Sequence, residues 1–350
     1  MNKTFSIVLS IATALCVFGC AKVQHTGAND AERRYFDAWL HLNHPDITPT
    51  GLGIYVLEEK EGTGAVVTDS GCAFVDYTIY DLDGSITNYT RKETAKQMGT
   101  YDTTTYYGPA TWFTSATEET SILQAGIRDA LLGLNGGKPM KVGGSKKFII
   151  PSWLMSYKVY ETAEEYLEHS TDGSAAIYEI KVADFTDSIY NWEIEQIGKY
   201  FAANQDIYKG MTAADSLKLG FYYKELSAPS VADTLKSDTT IYINYTGKLL
   251  NGHVFDTTIE KVAKDNGLYK AGKSYGPVPV KMASDYSEIK LNGSSVISGF
   301  GLTIKQMGED EKGIGVFWSK LGYQTGGSGE SIPGYAPLIF EIELTAKPED

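Results

Sequence analysis

Hydrophobic and polar positions alternate along residues 73–80 and again along 240–249, the period-two pattern of strands that bury one face. Each run leads to a dipeptide suited to a tight hairpin, Asp83-Gly84 in the first and Asn251-Gly252 in the second. Further along, the period becomes helical. Ile127, Leu131 and Leu134 share one face, and Phe300, Ile304 and Met307 share another at the same spacing, which predicts a short helix laid across each sheet. Apolar runs at 177–182 and 338–344 predict closing strands. Between the two sets, Trp192, Ile194, Ile197, Tyr200 and Phe201 fall at helical spacing within residues 186–219, so the connection is predicted to be a helix and not a flexible linker. Residues 30–41 look like its counterpart ahead of the first set. The expected class is α+β: two antiparallel sheets, each curled around one short helix and each preceded by another helix.

The recurrence extends to the residues themselves. AKQMGTYDTTTYYGP from Ala95 and AKDNGLYKAGKSYGP from Ala263 lie 168 positions apart and hold Gly, Tyr, Tyr, Gly and Pro in step. At the same offset Tyr77-Thr78 answers Tyr245-Thr246, Leu82 answers Leu250, Gly84 answers Gly252 and Thr90 answers Thr258. Upstream, Arg34-Tyr35-Phe36 answers Lys199-Tyr200-Phe201, and Gly53-Ile54-Tyr55 answers Gly220-Phe221-Tyr222. Such self-similarity reads as duplication of one unit. The expected layout is a first unit over 51–186, a helical connector over 187–219 and a second unit over 220–350.

Composition adds boundaries. With 350 residues, 42% hydrophobic and 21% charged, the chain is long and apolar enough for packed cores. A formal charge of -13 with no basic block repels a phosphate backbone, so nucleic acid is excluded as an expected partner. Lys3, the apolar stretch 5–18 and the closing Gly19-Cys20 are too short to span a bilayer and read as an export signal over 1–19. Val17-Phe18-Gly19-Cys20 resembles a bacterial lipobox, which implies cleavage before Cys20 and its lipidation. Residues 20–50 are then a lipidated N-terminus with the leading helix, and the chain is expected at the cell envelope, membrane-anchored and facing the periplasm. A lipidated Cys20 leaves Cys72 without a disulfide partner, so Cys72 is expected to be a buried thiol.

The second unit carries a family resemblance. INYTGKLLNGHVFDTT resembles the first signature of FKBP-type peptidyl-prolyl isomerases, in which a strand ending Tyr-Thr-Gly leads through a turn to Phe-Asp. Ser295-Val296-Ile297-Ser298-Gly299-Phe300 resembles that family's helix start, Leu321-Gly322-Tyr323 its Leu-Ala-Tyr, and Ile332-Pro333 with Leu338-Ile339-Phe340-Glu341 its closing strand. GLGIYVLEEKEGTG from Gly51 looks like the opening strand of the exported, macrophage-infectivity-potentiator-like branch. The first unit departs from the pattern where chemistry would sit: Thr87-Asn88 replaces Phe-Asp, Ile127 the helix aromatic and Leu123-Gln124 the Val-Ile pair. It keeps Tyr77, Pro151-Ser152-Trp153-Leu154 and Tyr178, which implies a shared fold with weakened or absent activity.

What the resemblance implies for the second unit is rotation about prolyl amides. That barrier is ~18–20 kcal/mol because the planar amide is resonance-stabilised. An apolar, water-excluding pocket that favours the twisted, less polar amide needs no nucleophile, metal or cofactor. By resemblance Tyr245, Phe255, Phe300 and Phe340 wall that pocket, Val296 and Ile332 contact substrate, the Ile297 N–H holds a substrate carbonyl, and Tyr323 donates a second hydrogen bond. Asp256 either orients Tyr245 or polarises the amide. The implied partners are proline-containing unfolded or exported polypeptides, and a non-catalytic chaperone built on the same fold is the alternative. Departures within the unit are Trp318 where the family usually has Pro, Gln324 where Gly is usual, and a longer segment between Asp256 and Val296. The dispersed histidines suggest no metal site, and GLNGGK from Gly133 lacks the spacing of a phosphate loop.

Overall fold

A computed structural model describes residues 28–169, 173–212, 220–230 and 235–348, so the export signal and Cys20 lie outside the described residues. Helix α1, Ala28–Asn43, leads into a sheet of β1 (Tyr55–Lys60), β2 (Cys72–Asp81), β3 (Ile86–Tyr89), β4 (Ala110–Phe113), β5 (Ser145–Ile150) and β6 (Ala176–Thr186). Short helices α2 (Lys92–Met98), α3 (Ala125–Leu132) and α4 (Ala163–His169) interrupt it. Helices α5 (Ile189–Ala203) and α6 (Gln205–Tyr208) follow. The second sheet holds β7 (Phe221–Ser227), β8 (Thr240–Leu249), β9 (Val254–Thr257), β10 (Val278–Lys281), β11 (Lys290–Leu291), β12 (Ser294–Ser295), β13 (Lys312–Phe317) and β14 (Leu338–Thr345). It is interrupted by α7 (Glu260–Asp265) and α8 (Ser298–Lys305).

The two sheets have one topology. The first runs β1-β5-β6-β2, with β3 and β4 both on β2; the second runs β7-β13-β14-β8, with β9 and β10 both on β8 and the β11–β12 hairpin added outside β10. All pairings are antiparallel, and each central strand is bulged at the same place, after Ile79 in β2 and after Gly247 in β8. Even side-chain detail recurs: the Tyr77 N–H donates to Thr90 Oγ1 and the Tyr245 N–H to Thr258 Oγ1, both at 2.9 Å.

The repeated segment has a structural reason. Ala95 and Ala263 are fully buried, and Gly99 (φ 70°) and Gly267 (φ 72°) take the left-handed conformation that stops each short helix, where a Cβ would be strained. Beyond the glycine, Tyr101 stacks on Tyr107 and Tyr269 on Tyr275, each pair at 5.6 Å, with Lys96 above the first pair and Lys264 above the second. Each unit thereby carries the same folded flap.

Both sheet-crossing helices end sooner than their apolar face predicts. Gly133 turns left-handed (φ 62°) before Leu134, and α8 stops at Lys305 before Met307, so those two side chains reach the core from turns. Helix α8 lies against β13 and β14. The opposite side of β13 meets the connector: Ile314 and Val316 join Ile194, Ile197 and Phe201 of α5 in a separate apolar cluster. Cys72 is buried and unpaired, and burial pushes its thiol up to about 12. No helix among the described residues is long and apolar enough to cross a membrane.

Two buried carboxyl groups set a pH dependence. Burial pushes Glu193 up to about 7, opposed by the Ser319 hydrogen bonds and by Lys320. Burial pushes Asp129 up to about 6, opposed by the Leu52 N–H at 2.7 Å and by Lys146. Between the ordinary carboxylate range and these values the folded chain binds more protons than the unfolded one, so stability falls as pH rises across about 4.5 to 7. Urea unfolding at pH 5 and pH 7.5 is expected to show that slope, and Glu193→Gln with Asp129→Asn is expected to flatten it; an unchanged slope would contradict the assignment.

Candidate active site

The second unit gathers aromatic rings from four elements. Phe340 of β14 meets Phe300 of α8 edge to face at 5.1 Å and Phe255 of β9 at 5.6 Å, while Tyr245 of β8 meets Phe300 at 5.5 Å and Phe340 at 6.2 Å. Three of these pairs are edge to face and Tyr245–Phe340 is tilted, so the rings present both edges and faces, a preferred arrangement of aromatic quadrupoles. Phe300 and Phe340 are buried, whereas Phe255 is only half-buried. The strand register explains the glycine of Tyr-Thr-Gly within β8. Gly247 stands opposite Phe340 on one side and Asp256 on the other. A Cβ there would lie 2.5 Å from the Phe255 ring and 2.9 Å from that of Phe340.

At the polar edge, the Tyr245 hydroxyl donates to Asp256 Oδ2 at 2.5 Å, and Asp256 Oδ1 accepts the Thr257 N–H at 2.9 Å. Lys273 Nζ lies 3.7 Å from the same carboxylate. Burial first, then the Asp256 charge, drives the Tyr245 phenol far above its ordinary range, so Tyr245 stays protonated and neutral. Ile297 is the N-cap of α8 (φ -66°, ψ 149°), and its N–H has no acceptor among the described residues. That donor stands where helix-end partial charge is positive. Val296 and Ile297 are half-exposed and pack on the same apolar cluster, as does Tyr323. Burial, then the Asp256 charge, raises the Tyr323 phenol, so it stays protonated and able to donate. Ile332 is buried in the cluster.

Departures from the family pattern fall into place around this box. The Trp318 ring lies against Gly220 and faces Tyr190 of the connector at 5.6 Å, away from the box, in the cluster on the other side of the sheet. Gln324 adopts φ 54°, the left-handed conformation for which glycine is suited. Since its side chain is exposed, Gln324→Gly is expected to raise stability by ~0.5–1 kcal/mol. Denaturant midpoints compared at a fixed m-value would measure it.

The first unit lacks the constellation. Tyr178 hydrogen-bonds Gln124 Oε1 at 3.1 Å across the space corresponding to the box, Tyr77 stacks on Trp112 at 5.4 Å, and Ile127 is buried. Thr87 and Asn88 are exposed, and no carboxylate hydrogen-bonds Tyr77 among the described residues. Nor do the described residues contain three or more His, Cys, Asp or Glu placed to hold a metal ion. Lys273, a partner of Asp256, escapes a reading of the sequence in which the repeat shows only as spacing, although the lysine lies inside the second copy of that repeat.

The profile of the FKBP-type peptidyl-prolyl cis-trans isomerases matches residues 232–345, the span that holds all the rings of the box. A probable FKBP-type peptidyl-prolyl cis-trans isomerase of Haemophilus influenzae is 34% identical over 125 residues, 36% of this chain and 42% of that protein. FK506-binding protein 2 of Dictyostelium discoideum is 29% identical over 135 residues, 39% of this chain and 83% of its own length. The peptidyl-prolyl cis-trans isomerase FKBP15-1 of Arabidopsis thaliana is 34% identical over 132 residues, 37% of this chain and 69% of that protein. The chain thus spans less than half the length of the Haemophilus relative.

Proposed function

The chain belongs to the FKBP-type peptidyl-prolyl cis-trans isomerase family, and from that premise we propose that its second unit accelerates rotation about prolyl amides in unfolded or exported polypeptides, held at the cell envelope through a lipid on Cys20. The observation that carries the reading is the convergence of Tyr245, Phe255, Phe300 and Phe340 with the free Ile297 N–H inside the matched span.

A planar prolyl amide is more polar than its twisted form, so a site that surrounds the ring with apolar rings disfavours the planar state relative to the twisted one. The Ile297 N–H fixes a substrate carbonyl and Tyr323 supplies a second donor. Asp256, held by Tyr245 and near Lys273, is a fixed dipole at the edge of the box and takes no proton in the step. Prolyl isomerisation of a proline-containing peptide by the full chain tests this. Phe255→Ala is expected to lower kcat/KM at least ~10-fold, and Tyr323→Phe by the ~2- to 10-fold of one hydrogen bond. Absence of acceleration, or acceleration indifferent to both changes, would end the reading.

A second reading has its own observation. A cleft of about 740 Å³ lies between the units, lined by Phe74, Tyr106, Trp192, Tyr200 and Tyr335 with Asn251 and Lys199 among its polar groups. Its aromatic walls suit an extended unfolded chain, which makes the protein a chaperone as well as, or in place of, an isomerase. Suppression of client aggregation that survives Phe255→Ala supports this; no suppression at all counts against it.

A further inference from the structure

The loop between β13 and β14, which carries Tyr323, is held from outside its own unit. Glu193, on the connector helix α5, is fully buried and accepts both the Ser319 N–H at 2.6 Å and the Ser319 hydroxyl at 2.7 Å. Ser319, itself buried, passes that hold forward: its carbonyl accepts the N–H groups of Gly322 at 2.8 Å and Gln324 at 3.0 Å, the two residues flanking Tyr323. A continuous hydrogen-bonded path therefore runs from a side chain outside the aromatic box to the backbone on both sides of Tyr323.

Burying a carboxylate is costly unless its lone pairs are met, and here they are met by this loop. The same helix face adds Tyr190, whose ring lies 3.8 Å from Lys320 Nζ and 6.2 Å from Tyr335, at the loop's two ends. The first unit grips the remainder. Phe113 packs on Tyr335 at 5.2 Å, and the Tyr106 N–H donates to the Glu330 carbonyl at 2.8 Å. Tyr106 stands in the flap where the second copy has Ser274, so it is at the contact with the other unit that the flaps diverge.

We propose that Glu193 is a positioning residue for the isomerase site, fixing Tyr323 through Ser319, and that the connector and first unit serve to hold this loop. The proposal rests on the reading that the second unit isomerises prolyl bonds through Tyr323. A merely structural carboxylate would lower stability without a specific tie to Tyr323, and a double-mutant cycle separates the two cases.

In the full chain, assayed well below its unfolding transition, Glu193→Ala is expected to lower kcat/KM for a prolyl peptide by ~2- to 10-fold, no more than Tyr323→Phe itself, because Ser319 loses both partners and the Tyr323 hydroxyl its fixed position. Glu193→Gln, which can still accept the Ser319 N–H and donate to its hydroxyl, is expected to restore most of that loss. In a Tyr323→Phe background Glu193→Ala is expected to change kcat/KM less than twofold. Full additivity of the two changes, no rescue by Gln, or wild-type activity in Glu193→Ala would overturn the proposal. Amide hydrogen exchange at Gly322 and Gln324 gives a readout independent of catalysis, expected to speed up in Glu193→Ala and not in Tyr323→Phe. If the wild-type chain proves inactive, the isomerase reading and this residue's catalytic purpose fall together, while unchanged exchange in an active enzyme overturns the positioning role alone.

Discussion

Gly247→Ala is expected to lower kcat/KM for prolyl isomerisation by ~10- to 100-fold while the full chain stays folded, an increase of ~1.4–2.7 kcal/mol in the barrier. The position faces neither solvent nor a turn; it is the point in β8 where the Phe255 and Phe340 rings cross the strand. A methyl group 2.5 Å from one ring and 2.9 Å from the other cannot be accommodated with both in place. Phe340 is walled in by Phe300 and Phe317. Phe255, half-exposed, is therefore the ring that yields, opening the box to water where it must exclude it. Stability should fall by only ~1–3 kcal/mol, the usual cost of overpacking. Activity and denaturant midpoint measured on the same preparation check the claim: a variant within twofold of wild-type activity would show that Phe255 is not a wall of the working pocket.

The alternation along 73–80 and 240–249 foretold β2 and β8, although the structure buries consecutive residues, 72–75 of β2 and 245–247 of β8, so both faces are covered there. The aromatic box was legible for a different reason. Tyr245, Phe255, Phe300 and Phe340 are ordinary core residues one by one, but their order reproduces the family's order, and the structure places all four rings together. The apolar face overruns the helix ends at Leu134 and Met307, since an apolar side chain just past a helix can reach the same core from a turn and so prolongs the apparent face.

What no periodicity encodes is how one unit meets another. Glu193 reads in the sequence as one more acidic residue on a helix; its burial depends on Ser319, 126 residues away in the chain. Tyr106 likewise reads as part of a repeated flap, and only the docking of the first unit on Glu330 gives it a separate task. The duplicated letters were thus a reliable sign of a shared fold. The places where the copies differ fall at the aromatic box and at the contact between the units.

Phe201→Ala is expected to cost ~3–5 kcal/mol, the range for removing a fully buried aromatic ring. Phe201 packs tilted against Tyr208 at 4.8 Å and meets Tyr222, in the opening strand β7, edge to face at 5.2 Å. The first copy makes the same contact, Phe36 on Tyr55 of β1 at 5.6 Å, again with a fully buried phenylalanine. Each leading helix is therefore pinned to the first strand of the sheet it precedes, and Phe36→Ala is expected to cost a similar amount. The two changes should part company in function. Helix α5 carries Glu193 as well as Phe201, so loosening it frees the Tyr323 loop, whereas loosening α1 leaves that path intact. Denaturation of both variants, with isomerase activity read below their transitions, is expected to show comparable losses of stability but reduced kcat/KM only for Phe201→Ala. Equal activity in the two would mean that the connector's contribution to the second unit is packing alone.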